Sequence, residues 1–404
     1  MTEAGKPVAQ GAPLRGIKVI EFTHMVMGPT AGVILGDLGA DVIKVEPVKG
    51  DNTRRLSGSG AGYFPMYNRN KRSLALELKH SKGRELAQQL VQSADIVLEN
   101  FRPGTMANLG LDYDSLKSGN PGLIYCSMKG FLSGPYENRV ALDEVTQMMG
   151  GLAYMTGLPD RPLRAGSSVI DITGGMFGVI AVLSALHHRQ TTGEGSHVTS
   201  ALFETTAFLV GQHMAQQAVS GEPPPPMSVR QSAWAVYDIF DLDSGEKLFV
   251  GIVSDSIWRR FCEEFALEDW AADDSLATNA GRVAARDKLL TGIQQLFSPM
   301  DLTTLSERLD RAGLPFSPIN TPGDLFNDPH LAASGGLLPL HLTDGERAGE
   351  ATALPRLPIE FGFTKPPLHR DLPRAGAHNH EVLSELGLDT DTIDALIEDG
   401  VLSN

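Results

Sequence analysis

The chain has 404 residues, 42% hydrophobic and 21% charged, with a formal net charge of −15. That length exceeds one ordinary core and implies two or more domains, the balance is that of a folded globular protein, and the acidity argues against a nucleic-acid partner, whose phosphates need a basic footprint. The longest apolar stretch, Ile172 to Leu186, is Gly-rich and short of the ~18–20 residues of a membrane span, so no membrane contact is expected.

The N-terminus, MTEAGKPVAQGAP, lacks the basic and apolar blocks of a secretory signal and reads as a loose polar extension. Cys126 and Cys262 are too few for a disulfide framework, which points to a reducing, cytoplasmic compartment. Cys126 lies in the apolar run LIYCSM and reads as a buried, inert thiol.

The first 130 residues alternate short β-branched runs with helical stretches, the pattern of a parallel sheet with crossover helices. Strands are predicted at IKVIEF (17 to 22), DVIKVE (41 to 46), ADIVLEN (94 to 100) and LIYCSM (123 to 128). A helix opens near Pro29, and Gly28, Gly32 and Gly36 recur every fourth residue, on one face suited to close backbone packing. Residues 52 to 84 carry Arg54, Arg55, Arg69, Lys71, Arg72, Lys79, Lys82 and Arg84 against Glu77, which reads either as a solvated basic face or as a receiver for a small polyanion. A helix is expected from Ser81, its N-cap, to Gln92, with Leu86, Leu90 and Val91 inward.

In SSVIDITGGMFG an apolar strand end is expected to meet a helix running from Gly174 to Arg189. The turn TTGEG (191 to 195) and a strand then helix in HVTSALFET follow. The stretch ending in GEPPPP reads as a stiff linker and a domain boundary. AVYDIF and KLFVGIV around DLDSGE read as a hairpin, followed by amphipathic helices from Ser256 and Arg286, a smaller α+β unit. LPFSPINTP leads out of it, and the chain ends in an acidic helix.

Several chemistries lack their motifs. There is no GxxxxGK[ST] phosphate loop, and EFTHMVMGPTAG does not have GxGxxG spacing. His378 with His380, and His187 with His188, match no metal-ligand pattern and read as surface or capping residues, so no metal is expected. Asp171 stands out because helix-start N–H groups and the helix dipole would favour its ionised form; seen alone it reads most simply as the N-cap of the following helix, and it is a candidate for chemistry because it would be charged without a base.

The ordered motifs LRGIKVIEFTH, GDLGADVIKVEP, NRNKRSLALELK, ADIVLENFRPG, LGLDYDSL, NPGLIYCSMKGF, SGPY, GSSVIDITGGMFG, TTGEGSHV, AVYDIF, GLPFSPI and HNHEVLSELGL resemble the class III CoA-transferases, a family whose fold is shared by the α-methylacyl-CoA racemases. The resemblance spans nearly the whole chain beyond the N-terminal extension. It implies an α/β fold with a Rossmann-like large domain (1–200, completed by 323–404), a linker at 201–226, a small α+β domain at 227–312 and a return linker at 313–322. It also implies a homodimer of interlocked, threaded rings. No permanently bound cofactor is implied, since CoA thioester and free carboxylic acid are both substrates.

Carried over by position, Asp171 falls on the family's nucleophilic aspartate, which would form a mixed anhydride and then an aspartyl-CoA thioester. Backbone N–H groups near Gly174 and Gly175 are candidate oxyanion donors. The CoA site would comprise His24, Val26, Leu76, Lys79, Asn100 and Phe101, with Lys79 and neighbouring arginines offsetting the phosphates, although Phe101 reads equally as core and Asn100 as a turn residue. Val26 stands where the formyl-CoA transferases have glutamine, which argues against an oxalate-like acceptor. Their CoA-contacting arginines fall here on Pro47 and Asn108, and MSVRQSAWAVYD replaces their four-glycine loop.

The racemases carry a histidine before an aspartate at the positions of Leu142 and Asp143. Leucine cannot exchange a proton, so CoA transfer is favoured over racemisation, and Asp143 positions the substrate or is structural. A CoA-binding protein without catalysis is the remaining alternative. The acids stay unnamed, with Arg54, Arg164 and Arg230 as candidate partners for a second carboxylate, as in succinate.

Overall fold

The β-branched runs at the start of the chain form a doubly wound sheet in the computed structural model, which describes residues 12–229, 232–362 and 365–403. The N-terminal extension up to residue 11 and Arg230 lie outside the described residues. By internal packing the chain forms two units, Met1–Ser228 with Ala332–Asn404, and Val229–Leu331.

In the first unit, strand β1 (Lys18–Phe22) leads into helix α1 (Met27–Asp37) and then β2 (Asp41–Glu46). After them come β3 (Lys71–Ala75), α2 (Ser81–Gln92), β4 (Ile96–Glu99) and β5 (Ile124–Lys129). Helix α3 (Asp143–Met149), the long α4 (Val169–Thr192), β6 (Ser196–Ala201) and α5 (Leu202–Ser220) complete this part. The sheet order is β3-β2-β1-β4-β5-β6, every pair parallel. Ile20, Phe22, Ile43 and Val97 enter one core and Val19, Val42, Ile96 and Leu98 the other, so both faces are covered and the strands read as continuous apolar runs.

The glycine stripe on α1 has the packing role expected of it. A Cβ at Gly32 would come within 1.9 Å of Glu21 Oε2, and one at Gly36 within 3.1 Å of the Asn70 carbonyl, so only glycine lets α1 lie this close to the sheet. Helix α2 has the expected span and inward stripe, but its cap is His80, whose Nδ1 accepts from Lys82 N, not Ser81. His378 makes no side-chain cap; its Nδ1 accepts from Ser73 N of β3 at 3.1 Å and so ties the C-terminal segment to the edge strand.

Half of the basic segment is not a solvated face, although Arg55, Lys79 and Lys82 are exposed. Arg69 pairs with Asp37 at 2.7 Å, Lys71 with Glu21 at 2.8 Å, Arg72 with Asp41 and Glu385, and Arg54 with Glu46 at 2.7 Å and Asp344 at 2.9 Å. Arg54 also lies 3.7 Å over the Phe64 ring. These four cations are buried, and KRSLA is the edge strand β3. Their acidic partners are distant in sequence, which is why a local charge count misread the segment.

Two expected boundaries are corrected. Residues 201–226 are not a linker, because LFETTAFLVGQHMAQQAVS has no proline and tolerates its single interior Gly211, forming α5 with Thr205, Thr206 and Val210 buried; the helix stops at Gly221, at φ 77°. Residues 313–322 are not only a return path, because Phe316–Pro318 forms a strand there. Helix α4 starts at Val169, not Gly174, and no strand precedes Asp171.

In the second unit, β7 (Val236–Asp241) and β8 (Lys247–Ile252) form the expected hairpin, and β9 (Phe316–Pro318) pairs with β8. Helices α6 (Asp255–Glu264), α7 (Arg286–Phe297) and α8 (Leu302–Arg311) supply its core, including Trp258, Phe261, Phe297 and Leu305. The first unit resumes with a hairpin, β10 (Leu337–His341) and β11 (Ala351–Pro355), and helices α9 (Asn379–Glu385) and α10 (Thr390–Glu398). Val382, Leu383, Ile393 and Leu396 from these helices pack with Leu74, Leu76 and Leu86, so the C-terminal segment finishes the first core.

Candidate active site

The strand order reverses between β1 and β4, and in open parallel sheets ligands bind in the crevice beyond the C-terminal strand ends at such a switch point. The β1–α1 turn and the segment after β4 meet there. Asn100 Oδ1 accepts from His24 N at 2.9 Å and its Nδ2 donates to His24 O at 2.8 Å, while the His24 and Phe101 rings meet edge to face at 5.5 Å. Met25, next in the turn, holds a left-handed φ of 63°, a conformation costing on the order of 1–3 kcal/mol that surrounding contacts must maintain. Lys44 Nζ, buried beneath, donates to the Thr23 carbonyl at 2.9 Å and steadies the same turn. Val26 is buried at the start of α1.

Leu76 and Lys79 lie along the same sheet edge, after β3. The Leu76 side chain is core, its N–H donates to the Glu46 carbonyl at 2.8 Å and its backbone is bridged to Leu402, so it supports this edge from within and offers a ligand no free donor. Lys79 is exposed. The neighbouring cations expected to help it are otherwise engaged: Arg84 donates to Lys79 O at 2.8 Å, Lys82 pairs with Asp399, and Arg54, Arg69 and Arg72 are buried in ion pairs.

Asp171 sits in the first turn of α4, but it is not the cap. Asp143 Oδ2 accepts from Ile170 N at 2.8 Å and Asp171 N at 3.0 Å, and its Oδ1 accepts from Gln147 Nε2, so α3 supplies the carboxylate that satisfies the helix start. The Asp171 side chain is thereby left free of capping duty. Its environment also reverses the expected ionisation: burial, then the Asp143 and Glu144 charges, push it up to about 7 against a smaller pull from Arg164. The helix dipole offers only ~0.3–1 kcal/mol, under one pH unit, and loses to desolvation and like charges. Tyr67 is also near, its phenol pushed up to about 12 by burial and by Asp171.

Gly174 and Gly175 do not serve as oxyanion donors. They lie beyond the orphan amides of the helix start, so their N–H groups are spent inside α4. A Cβ at Gly174 would come within 2.7 Å of the Met27 side chain, and one at Gly175 within 2.6 Å of the Met27 carbonyl. Their role is to let α4 press against the start of α1, which brings the Asp171 turn to the helix that begins at the switch point.

The sequence profile of CoA-transferase family III matches residues 14–379. The chain belongs to CoA-transferase family III. It is 36% identical to a succinate–glutarate CoA-transferase of Agrobacterium fabrum over 93% of this chain and 96% of that one. It is 32% identical to a succinyl-CoA:mesaconate CoA-transferase of Haloarcula marismortui over 94% of this chain and 98% of that one. A crystal structure of a CAIB/BAIF family protein from Brucella suis superposes with a TM-score of 0.82 at 35% identity, covering 93% of this chain and 100% of that one. The protein is thus a family III enzyme with a central parallel sheet.

Within this transferase, His24, Val26, Asn100 and Phe101 come together, Leu76 and Lys79 flank them, and Asp143 meets Asp171. Tyr67, Glu144 and Gln147 went unnoticed in the sequence, where nothing in their spacing ties them to Asp171. Arg102 was also missed. It is exposed, makes no ion pair among the described residues, and lines a cleft of about 170 Å³ with Met106, Tyr113, Lys129 and His197. Ser127 Oγ and His197 Nε2 meet at 2.9 Å in its wall. Cys126 is buried, its thiol pushed up to about 12 by burial and then Glu99, in keeping with an inert core residue.

Proposed function

We propose that this enzyme moves CoA from a short dicarboxylyl-CoA, such as succinyl-CoA, to a second dicarboxylic acid, with Asp171 as covalent nucleophile. An Asp171 oxygen attacks the thioester carbonyl, the C–S bond breaks, and CoA thiolate leaves a mixed anhydride. The thiolate attacks the Asp171 carbonyl and expels the donor acid, forming an aspartyl-CoA thioester. The acceptor carboxylate attacks that thioester, releases thiolate again and forms a second anhydride. Attack of thiolate on the acceptor's carbonyl then yields the new acyl-CoA and restores Asp171. One thioester replaces another, so no nucleotide hydrolysis is needed.

The observation that carries this reading is the position of Asp171: it begins a helix whose start is capped by another residue, and it has no ion-pair partner among the described residues. The dicarboxylate class follows the activities by which the succinate–glutarate and succinyl-CoA:mesaconate relatives are named. CoA is held at the switch point by His24, Val26, Asn100 and Phe101, with Lys79 toward its phosphates and Leu76 supporting that edge from the core. Asp143 positions the nucleophile rather than the substrate. No resident cofactor or metal takes part.

The working form is a homodimer of interlocked rings in the cytoplasm. Met176, Ile180 and Leu183 on α4 and Phe208 on α5 are exposed apolar side chains of the kind a partner covers. The apolar length of α4 would suffice for a membrane span, yet Val179, Val182 and Ala185 are buried in the core, which favours a packed helix. Light scattering reporting a monomer at micromolar concentration would refute the dimer.

Incubating the enzyme with succinyl-CoA and hydroxylamine or borohydride, then mapping peptides by mass spectrometry, should find the modification on Asp171. CoA exchange without any modified Asp171 would overturn the covalent route. Solvent deuterium entering the α-position without an acceptor acid would indicate a racemase instead. CoA binding without turnover, unchanged in Asp171→Ala, would indicate a binding protein.

A further inference from the structure

The three arginines singled out for a second carboxylate have different fates. Arg230 lies outside the described residues. Arg54 is buried, its guanidinium shared among Glu46, Asp344 and the Pro373 carbonyl, with no donor left for a substrate. Arg164 differs from both.

Its side chain is 37% exposed. Nε donates to the Ala165 carbonyl at 3.0 Å and Nη1 meets Glu144, while Nη2 has no partner among the described residues. The segment bearing it is tied to the nucleophile's helix through one relay. Ala165 N donates to Gln147 Oε1 at 2.8 Å, Gln147 Nε2 donates to Asp143 Oδ1, and Asp143 Oδ2 accepts from Asp171 N at 3.0 Å. The two oxygens of Asp143 thus hold the Arg164 segment and the Asp171 turn at a set spacing. The surrounding carboxylates, Asp143, Glu144 and Asp171, outnumber this one cation, and its charge reaches Asp171.

We propose that Arg164 binds the remote carboxylate of the dicarboxylic substrate while the other carboxyl group reacts at Asp171. The assignment rests on Asp171 being the nucleophile. Glu144 orients the guanidinium through Nη1, and the substrate carboxylate takes Nη2, a charge-assisted contact for which arginine is better suited than lysine. A monocarboxylate of equal length leaves that donor unused. Arg164 therefore selects dicarboxylic over monocarboxylic acids.

The test compares glutarate with valerate as acceptors from succinyl-CoA and from acetyl-CoA, in wild type, Arg164→Met and Arg164→Lys. Arg164→Met should lower kcat/KM for glutarate from acetyl-CoA roughly 100-fold, mainly through KM, and leave valerate within about threefold, with Arg164→Lys between. Equal losses for both acids, or a glutarate preference that survives in Arg164→Met, would overturn the assignment while hydroxylamine trapping at Asp171 still succeeds. Wild-type enzyme that neither exchanges CoA nor is trapped would overturn the underlying reading as well. Should Arg164→Met fail to fold, Glu144→Gln serves instead. Freeing Nη1 should keep or strengthen the glutarate preference, and loss of that preference would count against the role.

Discussion

Two regions of the first unit bury charge in opposite ways. Beneath the β1–α1 turn, Glu21, Lys44, Asp51, Lys71, Glu46 and Arg54 are matched cation to anion: Lys44 lies 2.9 Å from Asp51 and Lys71 2.8 Å from Glu21. There burial pushes Asp51 up, but Lys44 and the Thr53 amide pull it further down, to about 2. Where α3 meets α4, Asp143, Glu144 and Asp171 face Arg164, and burial with like charge drives Asp171 the other way. Matched burial stabilises a turn; unmatched burial leaves a carboxylate poised between its two states near neutrality.

The contrast is broken most directly by Asp171→Ala, which should cut CoA exchange by at least ~1,000-fold with circular dichroism unchanged, since the covalent route has no substitute. The same change should not destabilise the fold. Asp171 is raised from 3.8 to about 7 in the folded chain, so the folded state holds its proton where the unfolded chain has lost it. Its contribution to stability is therefore present below pH ~4 and is lost as pH rises through about 7. Removing it should raise Tm at pH 8 by on the order of a few degrees, measured by calorimetry.

Arg54→Met tests the matched side. It strands Glu46 among buried groups and should cost ~3–5 kcal/mol in urea unfolding, because an orphaned buried charge is worse than none. An effect below ~1 kcal/mol would show that water or rearrangement compensates. Asp143→Asn sharpens the unmatched side. It removes one of the two like charges on Asp171, so the rise of kcat/KM with pH, expected near 7 in wild type from the raised carboxyl, should move to lower pH. Disturbing the relay to Gln147 should also lower the plateau about tenfold.

The smallest expected effects lie at the ligand-facing edge. Asn100→Ala unties His24 and should raise KM for acyl-CoA roughly tenfold with kcat little changed. Lys79→Ala should raise it only about twofold to fivefold, an effect that fades in 0.5 M salt because the ammonium is exposed.

Much of this was legible along the chain. Periodicity and turn signals located five of the six parallel strands, the inward stripe of α2 and the small unit's hairpin, and the glycine spacing on α1 foretold close packing. Strand β3 escaped because its cations read as surface, although Lys71 and Arg72 find their acids on strands β1 and β2 and Arg69, just before it, pairs with Asp37 at the end of α1. The Asp171 position was readable through the family motif GSSVIDITGGMFG, but its ionisation was not.

Residue order by itself determined the alternation of strands and helices, the glycines that permit close approach, and the candidate nucleophile, because these follow from local spacing and side-chain type. Only tertiary structure decided that Asp143 rather than Asp171 caps α4, that Arg54 is spent while Arg164 keeps a free donor, and that Asp171 is pushed toward neutrality. Each depends on burial and on charges brought close from distant segments, and Coulomb energy and desolvation act through space, not along the chain.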